Sequence, residues 1–111
     1  MSEFKFPVIN PLLHNDLRLK VMVALDSLES ADFVYLCQIT DSTRGNLSVQ
    51  ISTLREAGYI DVTKTGVGRL SHTVCRLTPK GLEAHNAYED GLRQLFTQEV
   101  PAQDKINAKA I

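Results

Sequence analysis

Between Ser42 and Val62 the chain reads STRGNLSVQISTLREAGYIDV, and the residues there that could do chemistry are short hydroxyls and amides. On a helix turning about 100° per residue, Leu47, Ile51 and Leu54 fall in one narrow arc and must face a core. Almost opposite lie Gly45, Val49, Ser52 and Thr53, with Asn46 and Ser48 on the shoulders. A face that is merely solvated is usually furnished with Glu, Lys and Gln, which favour helix. Short side chains instead permit close approach to a base-pair edge, where hydroxyls and amides donate and accept and a valine methyl meets a thymine methyl. Arg44, in the first turn, is placed for a phosphate beside the free amides of the helix start.

The charge distribution agrees. The chain of 111 residues carries a formal charge of −1, which alone argues against a nucleic-acid partner. Split along the sequence, residues 1–42 hold three bases against six acids, and residues 81–111 hold three against five. Residues 43–80 hold six bases (Arg44, Arg55, Lys64, Arg69, Arg76 and Lys80) against Glu56 and Asp61, a local charge of +4. Positive charge is gathered where the helix with the polar face lies.

The elements that must position these residues follow from period and punctuation. Residues 1–10 show no period and read as an arm. A first helix starts between Pro11 and Asp16, with Leu13, Leu17, Val21, Leu25 and Leu28 on its apolar side. Asp32 caps a short helix from Phe33 to about Thr40, with Phe33, Leu36 and Cys37 or Thr40 on one side. A tight polar turn, TDST, leads to Thr43 as the cap of the third helix, which runs to Ala57 and ends on Gly58. A short helix, a tight turn and a second helix with an outward polar face make a helix-turn-helix. YIDVTK and LSHTVCRL then alternate as strands around TGVGR, a hairpin whose tip carries Lys64 and Arg69. Thr78-Pro79 opens a fourth helix with Leu82, Tyr88, Leu92, Leu95 and Phe96 on one side, and residues 100–111 read as a frayed tail. The chain is expected to form one domain over residues 11–99.

Other chemistry has little support. No P-loop or dinucleotide fingerprint occurs, and Ser48 and Ser52 lack the surroundings of a nucleophile, so an enzyme is not expected. Cys37, Cys75, His14, His72 and His85 share no ligand spacing, so neither metal nor cofactor is expected. The two cysteines read as reduced thiols of a cytoplasmic protein, and Cys75, between His72 and Arg76, is the better candidate for a reactive one. No apolar run reaches the length of a membrane span, and the N-terminus has no pattern of a signal peptide.

Taken together, TRGNLSVQISTLREAGYIDVTK, the following GR and HTVCRLTPKG resemble the winged-helix transcriptional regulators of the MarR-like group, in particular the small single-domain type. GNLS (Gly45 to Ser48), LREAGYI (Leu54 to Ile60) and LTPKG (Leu77 to Gly81) match its signatures at its spacing, and the likeness spans about residues 11–97. It implies an α+β winged-helix fold: a three-helix helix-turn-helix core, a two-stranded wing and a C-terminal dimerisation helix. It implies a homodimer on double-stranded DNA, with helix 43–57 in the major groove and wing 60–77 on the backbone or minor groove. Thr43, Arg44, Asn46, Ser48, Val49, Ser52 and Thr53 would be the helix contacts, and Lys64, Arg69 and His72 those of the wing. Two departures stand out. Gln50-Ile51 replaces a common His-Leu, a change expected to be structural. The wing TGVGRLSHT lacks the Lys-Lys-Pro-Arg usual before the threonine, which implies weaker and more pH-sensitive wing contacts.

Arg76 is expected to join Arg44, Lys64 and Arg69 on phosphates. The first and last helices carry more apolar surface than one small core can use, and Leu12, Leu13, Leu17, Tyr88, Leu92, Leu95 and Phe96 are expected at a dimer seam. Two-fold symmetry implies a palindromic site. His85 and Glu89, near that seam, would make the dimer sensitive to pH. The competing expectations are a winged-helix module that binds proteins, or a regulator controlled by a small-molecule, metal or redox signal.

Overall fold

A computed structural model of the chain describes residues 3–109. Helix α1 (Asp16–Ser27) starts at Asn15, whose side chain accepts the Arg18 amide, and it lays Leu17, Val21, Met22 and Leu25 into the core. A two-residue strand β1 (Ala31–Asp32) leads into α2 (Phe33–Thr40), where the Asp32 carboxylate accepts the amides of Val34 and Tyr35. Asp41 takes a left-handed conformation, φ 51°, and so closes α2 within one residue. Asp is among the few side chains that adopt this region readily. Thr43 then caps α3 (Arg44–Glu56), which buries Leu47, Ile51 and Leu54 as the spacing requires, and Gly58 turns left-handed after it.

Strands β2 (Ile60–Thr65) and β3 (His72–Leu77) form the expected hairpin, paired antiparallel from Ile60 with Leu77 to Thr65 with His72. A single 3₁₀ turn over Gly68–Leu70 lies at its tip. The sheet has a third strand that periodicity did not show: β1 pairs with β3, Ala31 opposite Cys75, giving the order β1-β3-β2. Helix α4 (Pro79–Thr97) begins on the Thr78 cap, and a further helix α5 (Ala102–Lys109) occupies the region expected to be frayed.

The core corrects several expectations about surplus apolar surface. Leu13, Leu17 and Tyr88 are almost fully buried inside the chain's own core, with Val21, Met22, Leu36 and Leu54, and are spent there rather than at a seam. Leu12, Leu92 and Leu95 are half-buried, and Phe96 alone of the expected set is broadly exposed, at 82%. On α4 the buried positions are Gly81, His85 and Tyr88, while Leu82 stands 41% exposed. His85 is thus closed within its own chain, with Nε2 3.7 Å from the Asp26 carboxylate and Nδ1 without a hydrogen-bond partner. Glu89 is exposed and bonded to Arg93 at 2.8 Å, which holds its carboxyl below the ordinary value. The N-terminal stretch is also tied down: Asn10 donates to the Tyr59 hydroxyl at 3.0 Å, and Ile9 lies against α4 at Gly91.

Candidate nucleic-acid interface

The outward face of α3 is built from side chains that packing does not use. Thr43, Arg44, Gly45, Asn46, Ser48, Val49 and Ser52 are all exposed, Val49 to 61%. Thr53 is half-buried and donates its hydroxyl back to the Val49 carbonyl at 3.1 Å. The Thr43 hydroxyl accepts the Asn46 amide at 3.1 Å, so this residue fixes the start of the helix as well as standing at its exposed end. A Cβ added at Gly45 would meet nothing within 4 Å, so the fold itself does not require glycine there.

Residues opposite one another across a strand pair share a face of the sheet. Lys64 lies opposite Thr73, on the face that turns Cys75 inward toward the helices. Ser48, Ser52 and Arg55 of α3 and Lys64 and Thr73 of the hairpin therefore border one open cleft of about 290 Å³, with Ile51 and Val62 among its walls. Arg69 sits exposed in the 3₁₀ turn. The tip geometry depends on Gly66, at φ 82°, where a Cβ would fall 2.2 Å from the Leu70 carbonyl oxygen.

Two expected contacts are not brought to this surface. Arg76 alternates with Cys75 and projects from the other face of the sheet, opposite Asp61, away from α3. His72 is exposed but held sideways, with Nδ1 3.3 Å from the Asp32 carboxylate. Nor is Cys75 the reactive thiol that its neighbours in sequence suggested. It is fully buried, and burial, with the Asp32 charge second, pushes its pKa up from 9.0 to about 11. Among the described residues, no three His, Cys, Asp or Glu side chains gather closely enough to hold a metal ion.

What the sequence did not show is a chain of hydrogen bonds behind the face. Arg18 of α1 donates through Nε to the Leu12 carbonyl at 2.6 Å and through its terminal nitrogen to Gln50 Oε1 at 2.5 Å. Gln50 in turn donates through Nε2 to Asn46 Oδ1 at 3.3 Å. Residues 46 and 50, four apart on a helix, were certain to be neighbours. The 32-residue reach to Arg18 had no signature in sequence.

Known proteins share this fold. The family model described as a winged helix DNA-binding domain matches residues 17–96. An uncharacterised protein of Methanocaldococcus jannaschii is 29% identical over 84 residues, which cover 76% of this chain and 91% of that one. A transcriptional regulator homologue from Pyrococcus horikoshii superposes with a TM-score of 0.72 at 27% identity, covering 77% of this chain and 84% of that one. BpsR of Bordetella bronchiseptica, whose DNA binding is regulated by 6-hydroxynicotinic acid, has the same fold at 14% identity, with a TM-score of 0.67 over 90% of this chain and 77% of its own. Family and fold are those of transcriptional regulators, not of enzymes. No described helix is long and apolar enough to cross a membrane. By its match over residues 17–96 the chain belongs to the winged-helix DNA-binding domain family, and its fold is that of the MarR-type transcriptional regulators.

Proposed function

We propose that this protein is a sequence-specific regulator of transcription that binds double-stranded DNA as a homodimer. The observation that carries the reading is the exposed face of α3, from Thr43 to Ser52, furnished with short polar side chains and one valine that the core does not bury. Its glycine supports the same reading. Gly45, in the first turn of α3, is a poorer helix former than Ala, and no intramolecular contact explains it. A backbone approached closely by a partner would.

In this reading α3 enters the major groove. Asn46, Ser48, Val49 and Ser52 meet base edges, and Arg44 and the capped helix start meet phosphate. Lys64 and Arg69 add phosphate contacts from the wing. The half-buried Leu12, Leu92 and Leu95 and the exposed Phe96 would join two copies, so that two α3 helices face a palindromic site. The protein would act in the cytoplasm.

The experiment is fluorescence anisotropy of a labelled duplex from upstream of the protein's own gene, beside a scrambled duplex, at two salt concentrations. Preferential, salt-steep binding is the expected result. Arg69→Ala should weaken both duplexes alike and reduce the salt slope by about 1. Asn46→Ala or Val49→Ala should instead lower the preference for the native duplex. Equal binding to both duplexes at every salt concentration would reject base reading and leave the protein-binding module as the stronger account.

A further inference from the structure

We infer that Arg18, which stands on α1 outside the reading face, dictates the hydrogen-bonding polarity of Asn46 through Gln50, and thereby which base edge Asn46 accepts. The inference rests on the DNA-reading role proposed above and names a specificity determinant that does not touch DNA.

An amide side chain can present either its oxygen or its NH₂ by rotating half a turn, and on an exposed face the two orientations differ little in energy. Here the choice is removed. A guanidinium has five donors and no acceptor. Arg18 is pinned by the Leu12 carbonyl at Nε, so its remaining fork is aimed at residue 50. Gln50 must therefore turn its oxygen to Arg18, because the opposite orientation would set NH₂ against NH. That leaves the Gln50 NH₂ directed at Asn46, which by the same reasoning must turn its oxygen inward to accept it. Contacts to a charged donor are the stronger kind, so the order propagates from Arg18 outward.

Asn46 is consequently left with its NH₂ as the group free to leave the face. The usual Asn pairing with adenine needs oxygen and NH₂ together at the base edge. A side chain that offers mainly donors favours an edge made of acceptors, and guanine N7 and O6 provide one, whereas cytosine N4 repels it. Arg18 is also fastened at its backbone, where its amide donates to the Asn15 cap at 2.9 Å. The polarity of a base-reading side chain is thus anchored at the start of a different helix.

The test is selection from a randomised duplex library with full-length wild type, Arg18→Lys, Arg18→Met, Gln50→Glu and Asn46→Ala, scored position by position, with thermal unfolding run in parallel. Asn46→Ala identifies the position that residue 46 reads. At that position wild type should favour guanine, and Arg18→Met should relax the preference by about tenfold, the scale of one good base contact. Arg18→Lys, which keeps a donor, should retain most of it. Gln50→Glu keeps the contact to Arg18 but offers Asn46 no donor, and it should relax the same position although residue 50 is half-buried behind the reading face. A position-46 preference unaltered in both Arg18→Met and Gln50→Glu, or a loss spread evenly over all positions, overturns the inference alone. A wild type with no preference anywhere overturns the DNA-reading role and this inference with it.

Discussion

Gly81 is where a single methyl group would be most costly. It occupies the first turn of α4, and a Cβ there would stand 1.9 Å from the Tyr59 carbonyl oxygen. The approach is enforced by Thr78, whose amide donates to that same carbonyl at 3.0 Å and whose hydroxyl donates to the Gly58 carbonyl at 2.6 Å while accepting the Gly81 amide at 2.9 Å. The end of α3 and the start of α4 are thereby locked together. Gly81→Ala should destabilise the protein by roughly 2–3 kcal/mol, the upper range for overpacking, seen as a lower urea midpoint at unchanged slope. Cys75 gives a second residue-scale expectation. Its thiol is raised to about 11 in the fold, above its ordinary 9.0, so the neutral form is what the core holds. That contribution is intact below about pH 9 and is lost as pH rises through about 11. A thiol reagent at pH 8 should therefore label the half-buried Cys37 and reach Cys75 only after denaturation. Rapid native labelling of both would contradict the burial argument. Neither Gly81 nor the Arg18–Gln50 contact was legible in the sequence, because each depends on a neighbour that only the fold supplies.

Elements were legible where their information is local. The caps Asp32, Thr43 and Thr78, the stop at Gly58 and the buried stripe of α3 all follow from residues within a few positions of one another. Strand β1 was hidden because two residues have no period, and its pairing partner lies more than forty positions away. The buried face of α4 was misread for a chemical reason: Gly81 and His85 hold positions that a hydrophobicity pattern assigns to Leu82. The wing was read correctly as a hairpin, yet the face on which each base lies came only from the register. An element-scale prediction follows from its tip. Gly66→Ala would force the Leu70 carbonyl aside and move the 3₁₀ turn that carries Arg69. Residues 64 to 72 are all exposed, but alanine held at φ 82° is strained, so stability should fall by about 1–2 kcal/mol, too little to unfold the domain. Duplex affinity should nevertheless fall, with a smaller salt slope, as for loss of a phosphate contact. Unchanged affinity with an altered midpoint would mean that the tip serves the fold and not the duplex.

At the scale of the whole molecule, shape is the remaining argument for a partner copy. A compact domain of this length has a radius of gyration of about 13 Å. This chain has 18.7 Å, and its extents are 65 × 27 × 21 Å. The excess length belongs to the end of the chain, where α4 and α5 carry Phe96, 82% exposed, and Ile106, 73% exposed, away from the core that Leu13, Leu17 and Tyr88 complete. The sequence suggested surplus apolar surface on both terminal helices. The structure leaves the most exposed part of that surplus beyond Leu92, with Val23 of α1 51% exposed as well. A helical arm of this kind is stabilised by covering it, and a second arm related by a two-fold axis covers both at once. Light scattering should then give a mass near 25 kDa, about twice the 12.3 kDa of one chain. Phe96→Glu should lower it toward one chain while leaving the thermal midpoint of the domain at low concentration nearly unchanged. The same variant should bind a palindromic duplex with an affinity close to that for a single half-site, because the two α3 helices would no longer be held together. A monomeric wild type that binds the palindrome as tightly as Phe96→Glu would show that the arm has another purpose and that one copy is the reading unit.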